Sequence, residues 1–337
     1  MKKALMLLLS LMLLVSCAAV GARAENRTIN VVTTIFPIYD WVREIVKDDA
    51  AHVNITLLLD NGVDLHSYQP TAQDILSIST ADLFIYVGGE SDEWVEDVLA
   101  SAMNPALRSI NLVEAMGDDI KMEELVEGME HEHDHDHDEG EDEDGHDHDH
   151  EDHDHEEEEE ADEHVWLSLR NAQKLTAAIA FALSGIDPDY ADRYQANAAA
   201  YIGKLAGLDA RYTEAVGSAA YHTLLFGDRF PFRYLADDYG LAYYAAFSGC
   251  SAESEASFET IVFLVGKVNE LGLPAVLTIE NPKTRIAETI VQNTASGNQK
   301  ILALDSMQGT TAADIQAGTT YYSVMESNLD VLKQALN

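Results

Sequence analysis

The strongest constraint on the fold is an alternation that runs through the chain twice. INVVTT (29–34) reads as a strand from its β-branched composition and polar flanks. Pro37 opens the next stretch, IYDWVREIV, in which Ile38, Trp41, Val42 and Ile45 recur at helical spacing and mark one buried face. VNITLLL (53–59) is a second strand, and the turn-rich GVDLHSYQP follows it. Thr71 with Asp74 is an N-cap pair that opens another helix. LFIYVG (83–88) is apolar throughout, as a parallel strand covered on both faces is. Trp94, Val95, Val98 and Leu99 begin a further amphipathic helix. The order β-α-β-α-β predicts a parallel sheet with flanking helices.

The alternation returns later. TLLF (223–226), LAYYAAF (241–247), AVLTIE (275–280) and KILALD (300–305) read as strands, with helices between them such as Ser257 to Leu271, stopped by Gly272. Met325, Leu329 and Leu332 mark a C-terminal helix. Between the two halves, DPDYADRYQANAAAYIGKLAGLDARYTEAV (187–216) is one long helical pattern, with Asp187 as its cap and Pro188 as its first residue. Roughly 30 positions at 1.5 Å each give about 45 Å, enough to cross the molecule, whereas a flexible linker is rich in Gly, Ser or Pro. The expected fold class is therefore α/β, in two lobes joined by one rigid linker helix. The boundaries are an N-terminal lobe over 25–186, the linker helix over 187–216 and a C-terminal lobe over 217–337. A chain of 337 residues is long enough for both.

One segment cannot belong to either core. Residues 123–163 hold 25 of the 60 acids and no lysine or arginine, while the remaining 35 acids face 20 bases. The run lacks the apolar surface that folding requires, so a disordered loop is expected over 123–162 in the first lobe. Its histidines, His131, His133, His135, His137, His146, His148, His150, His153 and His155, are expected to form weak, exchangeable metal sites that empty as they protonate near pH 6.5. The segment HEHDH matches H-E-x-x-H, but that pattern means a metalloprotease only on a stable helix in a cleft. Alternating Asp and His have poor helix propensity and no apolar face, so the match is compositional. A net charge of −40 excludes nucleic acid and anionic lipid as partners and favours cations.

The N-terminus, MKKALMLLLSLMLLVSCAAVGARA, is an export signal and tether over 1–24, too short and wrongly flanked for a stable span. Its ending, Leu14-Val15-Ser16-Cys17, resembles the lipobox of bacterial lipoproteins, which implies cleavage before Cys17 and a lipid on its thiol. With Cys17 lipidated, the only other cysteine, Cys250, has no disulfide partner within the chain. Cys250 is then either a thiolate ligand or a small buried apolar residue, and the second is the commoner use of a lone cysteine.

Four histidines lie outside the acidic run: His52, His66, His164 and His222. His66 follows the strand 53–59, and loops at the carboxyl ends of parallel strands are where α/β sheets bind ligands. His164 ends the acidic run in DEHVWL, at the junction with the next helix. A single histidine in either place is ordinarily a surface residue with a local hydrogen bond. Two of them at loop junctions of a strongly acidic exported chain point to metal ligation.

These motifs together resemble a known family. GVDLHSYQPTAQDI resembles the Gly-x-Asp-Pro-His-x-Tyr-x-Pro-Thr segment of the zinc/manganese class of ABC-transporter solute-binding proteins, and DEHVWLSLRNA resembles that family's Asp-Pro-His-x-Trp-Leu segment. DPDYADRYQANAAAY resembles its long helix, and LALDSMQG (302–309) the segment that holds its aspartate ligand. A His/Asp-rich loop just before the second histidine is typical of the zinc members. The likeness covers essentially the whole mature chain, in order. It implies His66, His164 and Asp305 as metal ligands. The family's third position, His or Glu, falls on Gly227 when Phe230-Pro231 is aligned, and glycine has no donor. Asp228 is the neighbouring oxygen donor, Arg229 opposes a cation, and Glu280 at the end of AVLTIE is either another carboxylate ligand or a capping residue. His222 lies at a strand start, at the wrong end for the cleft.

The resemblance further implies that the protein captures Zn²⁺ in an interlobe cleft and delivers it to the membrane permease of an ABC importer, whose own subunit hydrolyses ATP. The lipid on Cys17 would hold it, as a monomer, at the extracytoplasmic face of the cell membrane. Two imidazoles with one or two carboxylates suit four-coordinate Zn²⁺. A bidentate carboxylate or water would adapt the set to Mn²⁺, against the Irving–Williams order. The alternatives are a surface zinc buffer or adhesion protein acting through the histidine run, and an exported zinc metalloenzyme. For the last, no nucleophile–base pair stands near these motifs.

Overall fold

The computed structural model describes residues 27–129, 160–251, 255–280 and 284–337. The signal segment with Cys17, and the run 130–159 with its nine histidines, lie outside the described residues. The ends of the loop expected over 123–162 are ordered instead: Glu123 N donates to the Glu160 carbonyl and Asp162 N to the Lys121 carbonyl (both 2.8 Å), and Met129 and Asp162 are buried. The first half consists of β1 (Ile29–Thr33), α1 (Phe36–Val46), β2 (Val53–Leu57), α2 (Ala72–Ser79), β3 (Leu83–Tyr86), α3 (Val95–Ala100), β4 (Arg108–Asn111) and α4 (Leu112–Met116). Two long helices follow, α5 (Leu169–Ile186) and α6 (Ala191–Gly217). The second half contains β5 (Thr223–Arg229), α7 (Arg233–Tyr239), β6 (Ala242–Phe247), α8 (Phe258–Leu271), β7 (Ala275–Thr278), α9 (Arg285–Asn293), β8 (Lys300–Ala303), α10 (Ala312–Gln316) and α11 (Tyr321–Ala335).

Each half is built on a four-stranded sheet in which every pairing is parallel. The strand orders are β2-β1-β3-β4 and β6-β5-β7-β8, the same topology used twice. The α/β reading therefore stands, with two parallel sheets flanked by helices. The β4 edge, Arg-Ser-Ile-Asn, is the one strand that apolar runs do not reveal, because it is short and half-exposed. Elsewhere the local signals act as expected. Thr71 and Asp74 form a complete capping box on α2, and the Ser257 side chain caps α8.

The 187–216 segment departs from its expected start. Pro188–Tyr190 forms a separate short turn, and α6 begins only at Ala191. The Asp187 side chain makes no cap. Its carboxylate instead accepts from Tyr194 Oη at 2.8 Å and meets His52 Nε2 at 2.8 Å. The 27 residues of α6 span about 40 Å. Its buried residues, Tyr194, Ala198, Tyr201, Leu205, Leu208, Tyr212 and Val216, recur at steps of three or four residues, giving one continuous apolar seam. That seam packs on α5 and α1, and on α11 of the second half.

A single hydrophobic cluster runs through both halves. It joins Val31, Trp41 and Phe84 to Phe226, Leu277, Tyr321 and Leu329. Polar links cross the same joint: Tyr321 N donates to Asp40 Oδ2 (2.8 Å), Tyr321 Oη to the Trp166 carbonyl (2.7 Å) and Trp166 Nε1 to the Ser306 carbonyl (2.9 Å). A joint this well filled resists large rotations, because close-packed interiors do not deform continuously.

Candidate metal centre

The candidate residues arrive from the carboxyl ends of strands. His66 follows β2, Arg229 closes β5, Cys250 follows β6, Glu280 follows β7 and Asp305 follows β8. In parallel sheets these ends share one edge, where ligands bind.

His66 sits in a short helical turn, Leu65–Ser67, whose start is capped by the Asp64 carboxylate accepting from His66 N at 3.1 Å. His164 begins the turn Val165–Leu167 and is wholly buried. The two imidazoles face each other, with Nε2 to Nε2 at 3.2 Å. Each ring is held from behind. His66 Nδ1 is 2.8 Å from Ser91 Oγ, and His164 Nδ1 is 3.0 Å from Asp162 Oδ1, which also accepts from His164 N at 2.8 Å. An Nδ1–H donated to a carboxylate leaves the Nε2 lone pair free for a metal, the usual second layer of a metal-bound histidine. Burial, then the neighbouring His164, pulls the pKa of His66 down to about 3, so its ring is neutral and able to donate near pH 7. Glu163 lies beside the pair, its Oε2 buried without a hydrogen-bond partner and 3.8 Å from His66 Nδ1.

Cys250 completes a group of three. Its sulfur and one nitrogen each of His66 and His164 all lie within 4.8 Å of one another. Among the described residues no other three His, Cys, Asp or Glu side chains cluster this way. The approach depends on Gly249. A Cβ there would stand 3.0 Å from His164 Cε1 and 3.0 Å from the Phe230 carbonyl, so the bare backbone lies on the imidazole. Burial, together with the Glu123, Glu163 and Asp162 carboxylates, pushes the thiol pKa up, so the metal-free side chain holds its proton. The same carboxylates make the pocket attractive to a cation.

The three carboxylates expected from the sequence are not in this group, and each has local work. Glu280 accepts from Ser306 N and Oγ (both 2.8 Å), Gln308 N (3.0 Å) and Gly309 N (3.1 Å), which ties down the turn after Asp305. Asp305 Oδ1 accepts from Met307 N at 2.8 Å, and burial plus repulsion from Glu280 raises its pKa to about 6. Asp228 accepts from Arg229 N (2.9 Å) and Ile279 N (3.3 Å), and burial raises its pKa as well. Gly227 cannot be a ligand position by replacement either, because a Cβ there would run into the α9 backbone at Ala287, 2.6 Å from its Cα. Arg229 forms an ion pair with Asp64 across the two halves. Of the remaining histidines, His52 is tied to Asp187 and Tyr194, and His222 immediately precedes β5.

Comparison with known proteins decides the lineage. Residues 31–335 match the family model described as ZnuA, zinc-uptake complex component A, periplasmic. The chain belongs to the ZnuA family. It is 34% identical over 334 residues to the zinc-binding lipoprotein AdcA of Streptococcus pneumoniae, covering 99% of this chain and 61% of AdcA. The chain thus spans about three-fifths of that relative's length. It is 30% identical over 316 residues to the high-affinity zinc uptake system protein ZnuA of Bacillus subtilis, covering 94% of this chain and 90% of that one. Among solved structures, the Zn(II)-bound ZnuA-like domain of pneumococcal AdcA superposes with a TM-score of 0.68 at 30% identity, over 92% of this chain and 99% of the domain. The metal-dependent lipoprotein YcdH of Bacillus subtilis gives 0.70 at 27% identity, over 92% and 99%.

Within this ZnuA-family chain, the fold brings together the two histidines singled out from the sequence and, beside them, Cys250, which the sequence left between a thiolate ligand and a small buried apolar residue. The signal was available: Phe-Ser-Gly-Cys ends the strand pattern 241–247, the same position relative to a strand that singled out His66. Ser91 carried no comparable signal, and Asp162 only as the first residue of the segment that resembles Asp-Pro-His, since only folding sets them behind the imidazoles.

Proposed function

We propose that this protein captures a zinc ion between its two halves and passes it to the membrane permease of an ABC importer. A lipid on Cys17 would keep it at the extracytoplasmic membrane face, beside that permease. The observation that carries the reading is the pair of imidazoles with facing Nε2 atoms, each anchored through Nδ1. Neutral nitrogen donors, fixed in advance, are what a borderline-soft ion such as Zn²⁺ selects. His66 and His164 are the proposed nitrogen ligands. Asp305, Asp228 and Glu280 would act from the wall of the cleft, by charge and by holding its loops. The zinc-binding relatives support zinc as cargo, and the filled joint between the halves favours capture with only a small tilt.

The histidine run 130–159 would serve as a tethered collector that raises local zinc beside His164, to which it is covalently joined. Calorimetry on the intact chain tests the reading. Zinc should bind tightly at one equivalent. That site should disappear in His66→Ala and His164→Ala and survive deletion of residues 130–159. Loss of tight binding on deleting the run, with both histidine variants unaffected, would make the run the working site and sink the proposal.

A further inference from the structure

We propose that Cys250 is a third cargo ligand, binding the ion as a thiolate, so that the site is a His₂Cys centre selective for zinc and other soft ions over manganese. The proposal rests on the reading of His66 and His164 as the cargo pair. Four observations lead to it. The three donor atoms lie within 4.8 Å of one another, and the two nitrogens at 3.2 Å. Tetrahedral donors at ordinary Zn–N and Zn–S lengths are separated by about 3.3 to 3.6 Å, so small side-chain rotations of Cys250 suffice. Second, the loop is shaped for the approach. Gly249 lies against the His164 ring where a side chain would crowd both the ring and the Phe230 carbonyl. Third, the nearby carboxylates on the same side of the cleft are committed, above all Glu280 with its four donors, and position 227 faces the α9 backbone. Fourth, Glu163, only 2% exposed, holds beside the pair a buried oxygen with no hydrogen-bond partner, 3.8 Å from His66 Nδ1, so the pocket carries negative charge that a cation would offset.

The chemistry balances simply. The ion displaces the thiol proton, which leaves to solvent, and one S–metal bond forms with no change of oxidation state. Thiolate is a soft donor that adds affinity for Zn²⁺ and Cd²⁺ and little for Mn²⁺. Cys250 would then share in affinity with the histidines and in addition set cargo choice.

Cadmium is the probe, because a cadmium–thiolate bond absorbs in the near ultraviolet and cadmium–imidazole does not. Titrating the full chain with Cd²⁺ should raise a charge-transfer band that saturates at one equivalent. The band should persist in Cys17→Ser and vanish in Cys250→Ser. Zinc affinity in Cys250→Ser should fall at least roughly 100-fold, the upper range for disturbing even a supporting residue of a metal site. Should Cys250→Ser fold poorly, zinc-edge X-ray absorption of the unmutated chain at one equivalent decides without a variant. One sulfur at about 2.3 Å supports the proposal, and a shell of nitrogen and oxygen alone overturns it. A tight zinc site with that nitrogen–oxygen shell would sink Cys250 and leave the histidine pair standing. Absence of any tight zinc site in the unmutated chain would sink both.

Discussion

β2 delivers His66 and β6 delivers Cys250 from matching places in two sheets of the same strand order, yet the surroundings of the two loops differ. Around His66 and His164, the supporting groups Ser91 and Asp162 reach the rear of each ring, so the donors face forward. In the second half the charged groups are engaged elsewhere. Glu280 ties a turn, Asp305 caps its own loop, Asp228 holds Ile279 N, and Arg229 pairs with Asp64. The lesson is that strand topology offers positions for ligands, while the hydrogen bonds around each loop decide which side chains remain available.

The contrast can be broken most strongly at the histidines. His164→Ala should weaken zinc at least roughly 100-fold by calorimetry, whereas Asp305→Asn should change it less than about tenfold, since its carboxylate serves the 306–309 turn. Equal losses would dissolve the difference between the halves. The joint between them gives the next largest effect. Burial raises the Asp40 pKa to about 6 in the folded chain, while the unfolded value stays near 3.8. The folded state therefore holds the extra proton between these two values, and stability falls as pH rises through that window. Asp40→Asn keeps an acceptor for Tyr321 N without the buried charge. It should stabilise the protein by about 2 kcal/mol at pH 7, an advantage that shrinks below pH 6 and is gone below the unfolded pKa. Urea midpoints across pH measure it, and a pH-independent difference would refute the cause.

Asp162→Asn should lower zinc affinity by roughly 10- to 100-fold, because the amide leaves the His164 tautomer unfixed. Melting curves should stay close to those of the unmutated chain, which separates tuning of the ligand from loss of fold. The smallest effects are expected where the halves are alike. Thr71 and Thr311 each begin a complete capping box with an Asp three residues on. Thr71→Ala and Thr311→Ala should each cost about 1 kcal/mol in denaturant unfolding and leave zinc binding unchanged. A clear affinity loss in either would mean that these caps also set the cleft.

Much of the fold is legible in local pattern. LFIYVG declares a buried parallel strand, Ile38-Trp41-Val42-Ile45 a one-sided helix, and Thr71 with Asp74 a cap, because each depends on neighbours within one or two turns. Asp187 shows where that logic stops. Asp-Pro before a helical pattern reads as a cap and first turn, but His52 and Tyr194, remote in sequence or a turn away, claim the carboxylate. β4 was hidden for a related reason. An edge strand of four half-exposed residues carries no apolar run, and only pairing with β3 makes it a strand.

The candidate site divides along the same line. Sequence alone determined two parallel α/β halves and a long helix between them, and it pointed to His66 and His164 as candidate donors at loop junctions, since strand ends and donor chemistry are written residue by residue. Tertiary structure alone decided that the two Nε2 atoms meet, that Glu280 is consumed by the turn it holds, that position 227 faces a helix, and that Cys250 stands beside the pair. Those outcomes depend on distances between residues tens to hundreds of positions apart. Such distances are set by how the two sheets and their helices pack together, and no local stretch of sequence encodes them.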